Sequence, residues 1–240
     1  MSTAIITGAS RGLGLALARA LARRGWTLAI DARGERELEF AAAELSELTD
    51  VTAVAGDVSD PWHREVLLAR AGTSIDLLVN NASLLKGPSA DPRAPQPELA
   101  RYPISDLQRV LSVNVLAPLA LVQAALPLMP DGAAVINITS DAAVEPYEGW
   151  GGYGASKAAL DQLSAILAAE QPRLRVYAVD PGDMRTRMHQ EAFPGDDISD
   201  RPPPEDSVPG LLALIDGARP SGRYSARQLA SASSSGEVVS

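Results

Sequence analysis

The chain of 240 residues contains no cysteine. Disulfides, thiolate metal sites and thiol nucleophiles are excluded together, and a reducing, cytoplasmic setting is the expectation. Histidine is scarce: only His63 and His189 occur. Neither has a second ligand at metal spacing, so no catalytic metal is expected. No apolar run in the sequence reaches the length of a membrane span, and Met1 to Thr7 has neither a basic segment nor a small-residue cleavage site. Neither a signal peptide nor a membrane helix is expected from this. Positive charge is in deficit, with 21 Lys and Arg against 30 Asp and Glu and a net charge of −9. Such a surface repels nucleic acid and anionic lipid, so any bound phosphate must be held by local groups.

What the chain does have is apolar residues, 46% of the total, enough for a large buried core. They fall in short runs rich in Val, Ile and Leu: Thr3 to Thr7, Thr27 to Asp31, Val51 to Ala55, Ile75 to Val79, Ala133 to Ile138 and Arg175 to Val179. Amphipathic stretches lie between them, at Gly12 to Arg24, Glu35 to Leu48, Pro61 to Ala71, Ile104 to Leu126, Tyr153 to Glu170 and Glu205 to Gly217. Strands alternating with helices, the strands nearly continuous in apolar residues, predict an α/β fold. The expectation is a single doubly wound parallel sheet of about seven strands, the last at Gly222 to Ser225, with helices on both faces. Residues 1–230 are expected to form one domain and the serine-rich 231–240 a flexible tail. Two irregular stretches, Ser83 to Pro103 and Gly182 to Pro204, follow strand ends, where open α/β sheets place their ligands.

Directly after the first strand the chain reads Thr7-Gly8-Ala9-Ser10-Arg11-Gly12-Leu13-Gly14 and enters a helix. Glycines there let the backbone approach a pyrophosphate, and free amides at a helix start supply donors and a positive dipole end. A tight strand-to-helix turn needs glycines too, so the loop alone leaves both readings open. Tyr153 and Lys157 stand four residues apart on one helical face. An ammonium beside a phenol draws the phenol down toward neutrality and so makes it a proton donor and acceptor. On spacing alone, a plain exposed helix face remains the alternative.

Taken in order, these motifs resemble the short-chain dehydrogenase/reductase family across residues 3–226. Gly8-x-x-x-Gly12-x-Gly14 resembles the family's cofactor loop, Asp57-Val58 the pair at the adenine ring, and Asn80-Asn81-Ala82 the Asn-Asn-Ala-Gly motif, with Ser83 where glycine is usual. The resemblance implies a Rossmann fold and a cofactor held by Gly8, Ser10, Arg11, Gly12, Leu13, Gly14, Arg33, Asp57, Val58, Asn80, Ala82, Tyr153, Lys157, Pro181, Gly182 and Thr186. It further implies Tyr153 as acid/base, Ser140 as hydrogen-bond partner of the reacting oxygen, and Lys157 on the nicotinamide ribose. Asn114 would be a kink residue that binds water and links Lys157 to solvent. The implied reaction is hydride transfer between a ketone and a secondary alcohol.

The residue that selects NAD in this family is an acid at the position of Ala32, whereas Arg33 and Arg11 resemble the arginines that receive the 2′-phosphate of NADP. NADP(H) is therefore the expected cofactor. NAD(H) remains possible because Asp31, shifted by one residue, would meet the ribose. The pocket is expected to be walled by Leu84 to Arg101, Asp141 to Gly152 and Asp183 to Arg201. Trp150, Met184, Met188 and Phe193 would give it apolar surface, with negative charge from Asp141, Glu145 and Glu148. Arg185 and Arg187 offer a carboxylate or phosphate an alternative contact. A small-molecule carbonyl or alcohol is the expected partner, with no nucleic acid and no membrane. A homodimer or homotetramer would pair through the helices at Ile104 to Leu126 and Tyr153 to Glu170. The rival readings are a nucleotide-sensing protein without catalysis and an epimerase or dehydratase without net redox change.

Overall fold

A computed structural model describes residues 2–89, 96–217 and 219–235. Its seven strands are β1 (Thr3–Ile6), β2 (Thr27–Ala32), β3 (Val51–Ala55), β4 (Leu77–Asn80), β5 (Ala134–Ile138), β6 (Arg175–Asp180) and β7 (Gly222–Ser225). They form one all-parallel sheet in the order β3-β2-β1-β4-β5-β6-β7. The helices are α1 (Gly12–Ala22), α2 (Glu35–Ser46), α3 (Pro61–Ala71), α4 (Ile104–Leu111), α5 (Ala117–Ala125), α6 (Gly151–Glu170), α7 (Arg187–Ala192), α8 (Val208–Asp216) and α9 (Ala226–Ser235). Strand residues alternate between two cores. Ala4, Ile6, Leu28 and Ile30 pack with α1, α2 and α8, while Ile5, Ala29, Leu78 and Val135 pack with α3 and α5. Both faces are covered, which explains why the strands read as unbroken apolar runs.

Chain direction across the sheet reverses between β1 and β4. Their carboxyl ends open the crevice where a doubly wound sheet takes its ligand, and here they carry Thr7-Gly8 and Asn80 to Ala82.

Four expectations need correction. The single helix expected over Ile104 to Leu126 is two helices joined by a π-turn, Ser112–Leu116. Pro118 has no N–H for the carbonyl four residues back, which is that of Asn114, so the regular ladder cannot run through. Counted as one helical run, Ile104–Leu128 is long and apolar enough to cross a membrane, contrary to the reading of run lengths; 50% of its apolar window is buried inside the protein, as in a core helix. The third concerns the serine-rich end: the chain is helical through Ser235, and α9 begins by burying Ala226 and Leu229 against the α8 side of the sheet. Residues 236–240, like residues 90–95 of the expected pocket wall, lie outside the described residues. Finally, the segment Arg187–Ala192, read as loop, is a short helix started by Thr186, whose hydroxyl accepts from the amide of His189 at 3.3 Å.

Candidate active site

The glycine loop leaves β1 at Gly8, which has a positive φ of 67°. A Cβ there would lie 2.9 Å from the Cα of Ala82, and one at Gly14 would lie 2.6 Å from the side-chain nitrogen of Asn81. The loop is thus pressed onto the end of β4, and only glycine permits the approach. Two residues outside the expected set make the junction. Thr7 accepts through its hydroxyl from the amides of Asn81 and Ala82, both at 3.0 Å, and Asn81 donates to the carbonyl oxygens of Thr7 and Gly8. Arg11 precedes α1 without a side-chain cap, and no acid lies in the helix's first turn. Its leading amides are free to face an anion, as a dinucleotide cradle requires. Ser10 is half-buried on this loop and Leu13 is buried.

Arg11 on the glycine loop and Arg33 directly after β2 are both exposed. Asp31 is turned inward: one carboxylate oxygen accepts from the amide of Gly8 at 2.7 Å and the other meets His63 Nε2 at 2.9 Å. The alternative in which Asp31 meets a ribose is therefore not the geometry found. Asp57 is fixed beside the buried Val58 by Ser59 and Arg109, and these hydrogen bonds hold its carboxyl below the usual range against the opposing effect of burial. The Asn80 side chain is directed into the sheet, donating to Asn137 at 2.8 Å. Of the candidate cofactor contacts, Thr186 lies beside the glycine loop, its methyl 3.7 Å from where a Cβ of Gly12 would be. Gly182 and the buried Pro181 carry the chain from β6 toward it.

Tyr153 and Lys157 lie one turn apart on α6, both buried, with the ammonium 5.5 Å from the phenol ring centre. Ser140 lies two residues beyond β5 and caps the next turn, accepting from the amide of Ala142 at 3.2 Å and donating to Asp141 at 2.8 Å. Thr139, its neighbour, is buried, so Ser140 is the hydroxyl at the mouth. Burial pushes the Tyr153 phenol well above its usual value, and hydrogen bonding to Ser83 and Ser140 pulls it partly back. The expected lowering by the ammonium is not found. Lys157 is itself drawn down to about 8 by burial, and its ammonium donates to the carbonyl of Ile138 at 2.7 Å.

Asn114 sits in the π-turn with every side-chain hydrogen-bonding position used. Its oxygen accepts from the Ser83 hydroxyl at 3.2 Å and the Leu84 amide at 2.8 Å, and its nitrogen donates to the Leu84 carbonyl and the Ser156 hydroxyl, both at 2.9 Å. The side chain ties the loop after β4 to α6, which leaves the Asn114 backbone for any water link. Ser83, noted in the sequence only as a departure from glycine, connects Asn114 to Tyr153.

Above these groups Leu85, Ala142 and Tyr153 form a small apolar cluster joined by Trp150, Met188 and Ala192. Trp150 stands edge-on to Tyr153, ring centres 5.8 Å apart, and Phe193 packs against Trp150 at 5.9 Å. Of the side chains expected to line this wall, Met184 belongs to the α1 and α8 core instead. Arg187 is engaged by Glu191 at 2.7 Å, and Asp141 by Ser140 and Tyr147.

A family model for short chain dehydrogenases matches residues 2–197. A serine 3-dehydrogenase of Agrobacterium fabrum is 35% identical over 78% of this chain and 73% of its own length. Mouse sepiapterin reductase is 34% identical over 78% of this chain and 76% of its own. Among solved structures, a short chain dehydrogenase from Shigella flexneri complexed with NADP superposes with a TM-score of 0.81 at 28% identity, covering 94% of this chain and 97% of that one.

Proposed function

This chain belongs to the short-chain dehydrogenase/reductase family, and we propose that within it the protein is an NADPH-dependent reductase of a small carbonyl compound. The observation that carries the reading is the meeting of Tyr153, Ser140 and Lys157 in one cluster beside the glycine cradle. A nicotinamide dinucleotide fits the cradle because its glycines leave no room for side chains and the first amides of α1 are uncapped. When bound, it supplies the hydride.

The chain's own residues do the rest. Ser140 orients the carbonyl oxygen, and Tyr153 gives that oxygen its proton as the carbon is reduced, leaving an alcohol and a phenolate. The buried Lys157 would hold the ribose hydroxyls beside the phenolate until solvent returns its proton. A phenol raised by burial is protonated at neutral pH, the state a proton donor needs. Arg33 and Arg11, both exposed, are suited to a 2′-phosphate, since guanidinium groups make strong charge-assisted contacts with phosphate. Leu85, Trp150, Met188 and Phe193 favour an uncharged, moderately apolar ketone.

We place the subunit in a homodimer or homotetramer, because Leu116 and Ile166, on the two helices expected to pair, are 59% and 43% exposed. A silent nucleotide sensor would not need all three of the clustered groups. The test is NADPH consumption with a panel of ketones, keto esters and quinones, run beside Tyr153→Phe. No consumption by the unsubstituted protein with any of them, or equal consumption by both proteins, sinks the proposal.

A further inference from the structure

His63 belongs to no part of the mechanism, yet it is 5% exposed at the start of α3 and bonded to an aspartate that is 2% exposed. Its Nε2 meets Asp31 at 2.9 Å. Its other ring nitrogen lies against Gly56, where a Cβ would collide with the imidazole. The ring therefore bridges the turn after β3 to the end of β2. Asp31 passes the constraint onward: its second oxygen accepts from the Gly8 amide at 2.7 Å, and its backbone carbonyl accepts from Ala9 at 2.9 Å. Gly8 is the left-handed residue from which the cradle turns.

A buried carboxylate is tolerated where donors satisfy both oxygens, and withdrawing one donor leaves an expensive unpaired acceptor. With His63 in place each Asp31 oxygen has a donor and the side chain stays buried. Without that donor the carboxylate has reason to leave the interior, and it releases Gly8 as it goes.

We propose that His63 is a positioning residue for the dinucleotide cradle, acting through Asp31 on Gly8. The proposal rests on the reading that the cradle holds a nicotinamide dinucleotide. Because Gly8 belongs to the part of the loop that meets the pyrophosphate, common to both nucleotides, NADPH and NADH are affected alike. This separates His63 from Arg33, whose effect is confined to NADPH.

Two substitutions separate the hydrogen bond from mere packing. The amide nitrogen of glutamine reaches about as far as Nε2, so His63→Gln keeps a donor for Asp31. Asparagine reaches only as far as Nδ1, so His63→Asn withdraws it while remaining polar.

Dissociation constants of NADPH and NADH are measured by nucleotide fluorescence, with no turnover involved. His63→Asn is expected to weaken both by about tenfold, the scale of a lost hydrogen bond to a charged group, and His63→Gln to stay within about twofold of the unsubstituted protein. Asp31→Ala, which removes the link from the other side, is expected to match His63→Asn. It serves as the deciding variant if the histidine variants do not fold.

Unchanged affinities in His63→Asn or Asp31→Ala, or equal losses in His63→Asn and His63→Gln, overturn the proposal. Failure of the unsubstituted protein to bind either nucleotide overturns the cradle reading beneath it, and a lack of ketone reduction with binding intact touches only the proposed activity.

Discussion

The ammonium of Lys157 sits 5.5 Å from the ring centre of Tyr153 but gives its hydrogen bond to the carbonyl of Ile138, 2.7 Å away. Amine and phenol are buried side by side without neutralising each other, and burial biases each toward its uncharged form. The first prediction follows for stability. Lys157 titrates near 8 in the folded protein against an ordinary value of 10.5, so between those values the unfolded chain binds the additional proton. The contribution of this group to stability therefore rises with pH through that window, and its full cost, on the order of 3 kcal/mol, is present below pH 8. Lys157→Met removes the cost. Urea unfolding of both proteins without added nucleotide, from pH 7 to 9.5, should show the variant ahead at pH 7 and the gap closing as pH rises; a constant gap contradicts the assignment.

Tyr153→Phe removes only the hydroxyl from a packed position. Carbonyl reduction should fall by about 10²–10⁴, the range for loss of a general acid, while NADPH affinity stays near that of the unsubstituted protein. Single-turnover kinetics beside a fluorescence titration separate the two effects.

Ser140→Ala should lower kcat/KM by about 10²–10³ if the hydroxyl stabilises developing charge on the reacting oxygen. Ser83→Ala tests a different link. Hydrogen bonding from Ser83 pulls the phenol down, so its loss should move the rising limb of alcohol oxidation, which requires the phenolate, to higher pH. A profile that only scales down without shifting would assign Ser83 to loop shape alone.

Arg33→Ala and Arg11→Ala should each weaken NADPH by about tenfold, as expected for a lost charge-assisted contact, and leave NADH binding unchanged. Titrations with both nucleotides decide it, and equal losses for both would mean that the arginines serve the loop rather than the 2′-phosphate.

Much of this was legible in the sequence because it depends on neighbours along the chain. Alternation of apolar runs with amphipathic stretches announces a parallel sheet, and the loop from Gly8 to Gly14 stands where a strand meets a helix. Tyr153 and Lys157 share a helical face by spacing alone. The break at Asn114 had a visible cause in Pro118, although the apolar pattern running through it concealed the π-turn. Thr186 also carried a readable cap signal, a threonine ahead of a helical turn.

The sequence by itself determined the architecture, the glycine cradle and the pairing of a phenol with an amine, since local propensity and periodicity fix these. Only the tertiary structure decided where polar groups are spent. Asp31 faces Gly8 and His63, Asn114 is saturated by Leu84, Ser83 and Ser156, and Lys157 reaches Ile138 instead of the phenol. Hydrogen bonds and burial join residues distant in sequence, and burial sets the protonation of Tyr153 and Lys157, so neither can be read until the chain has folded.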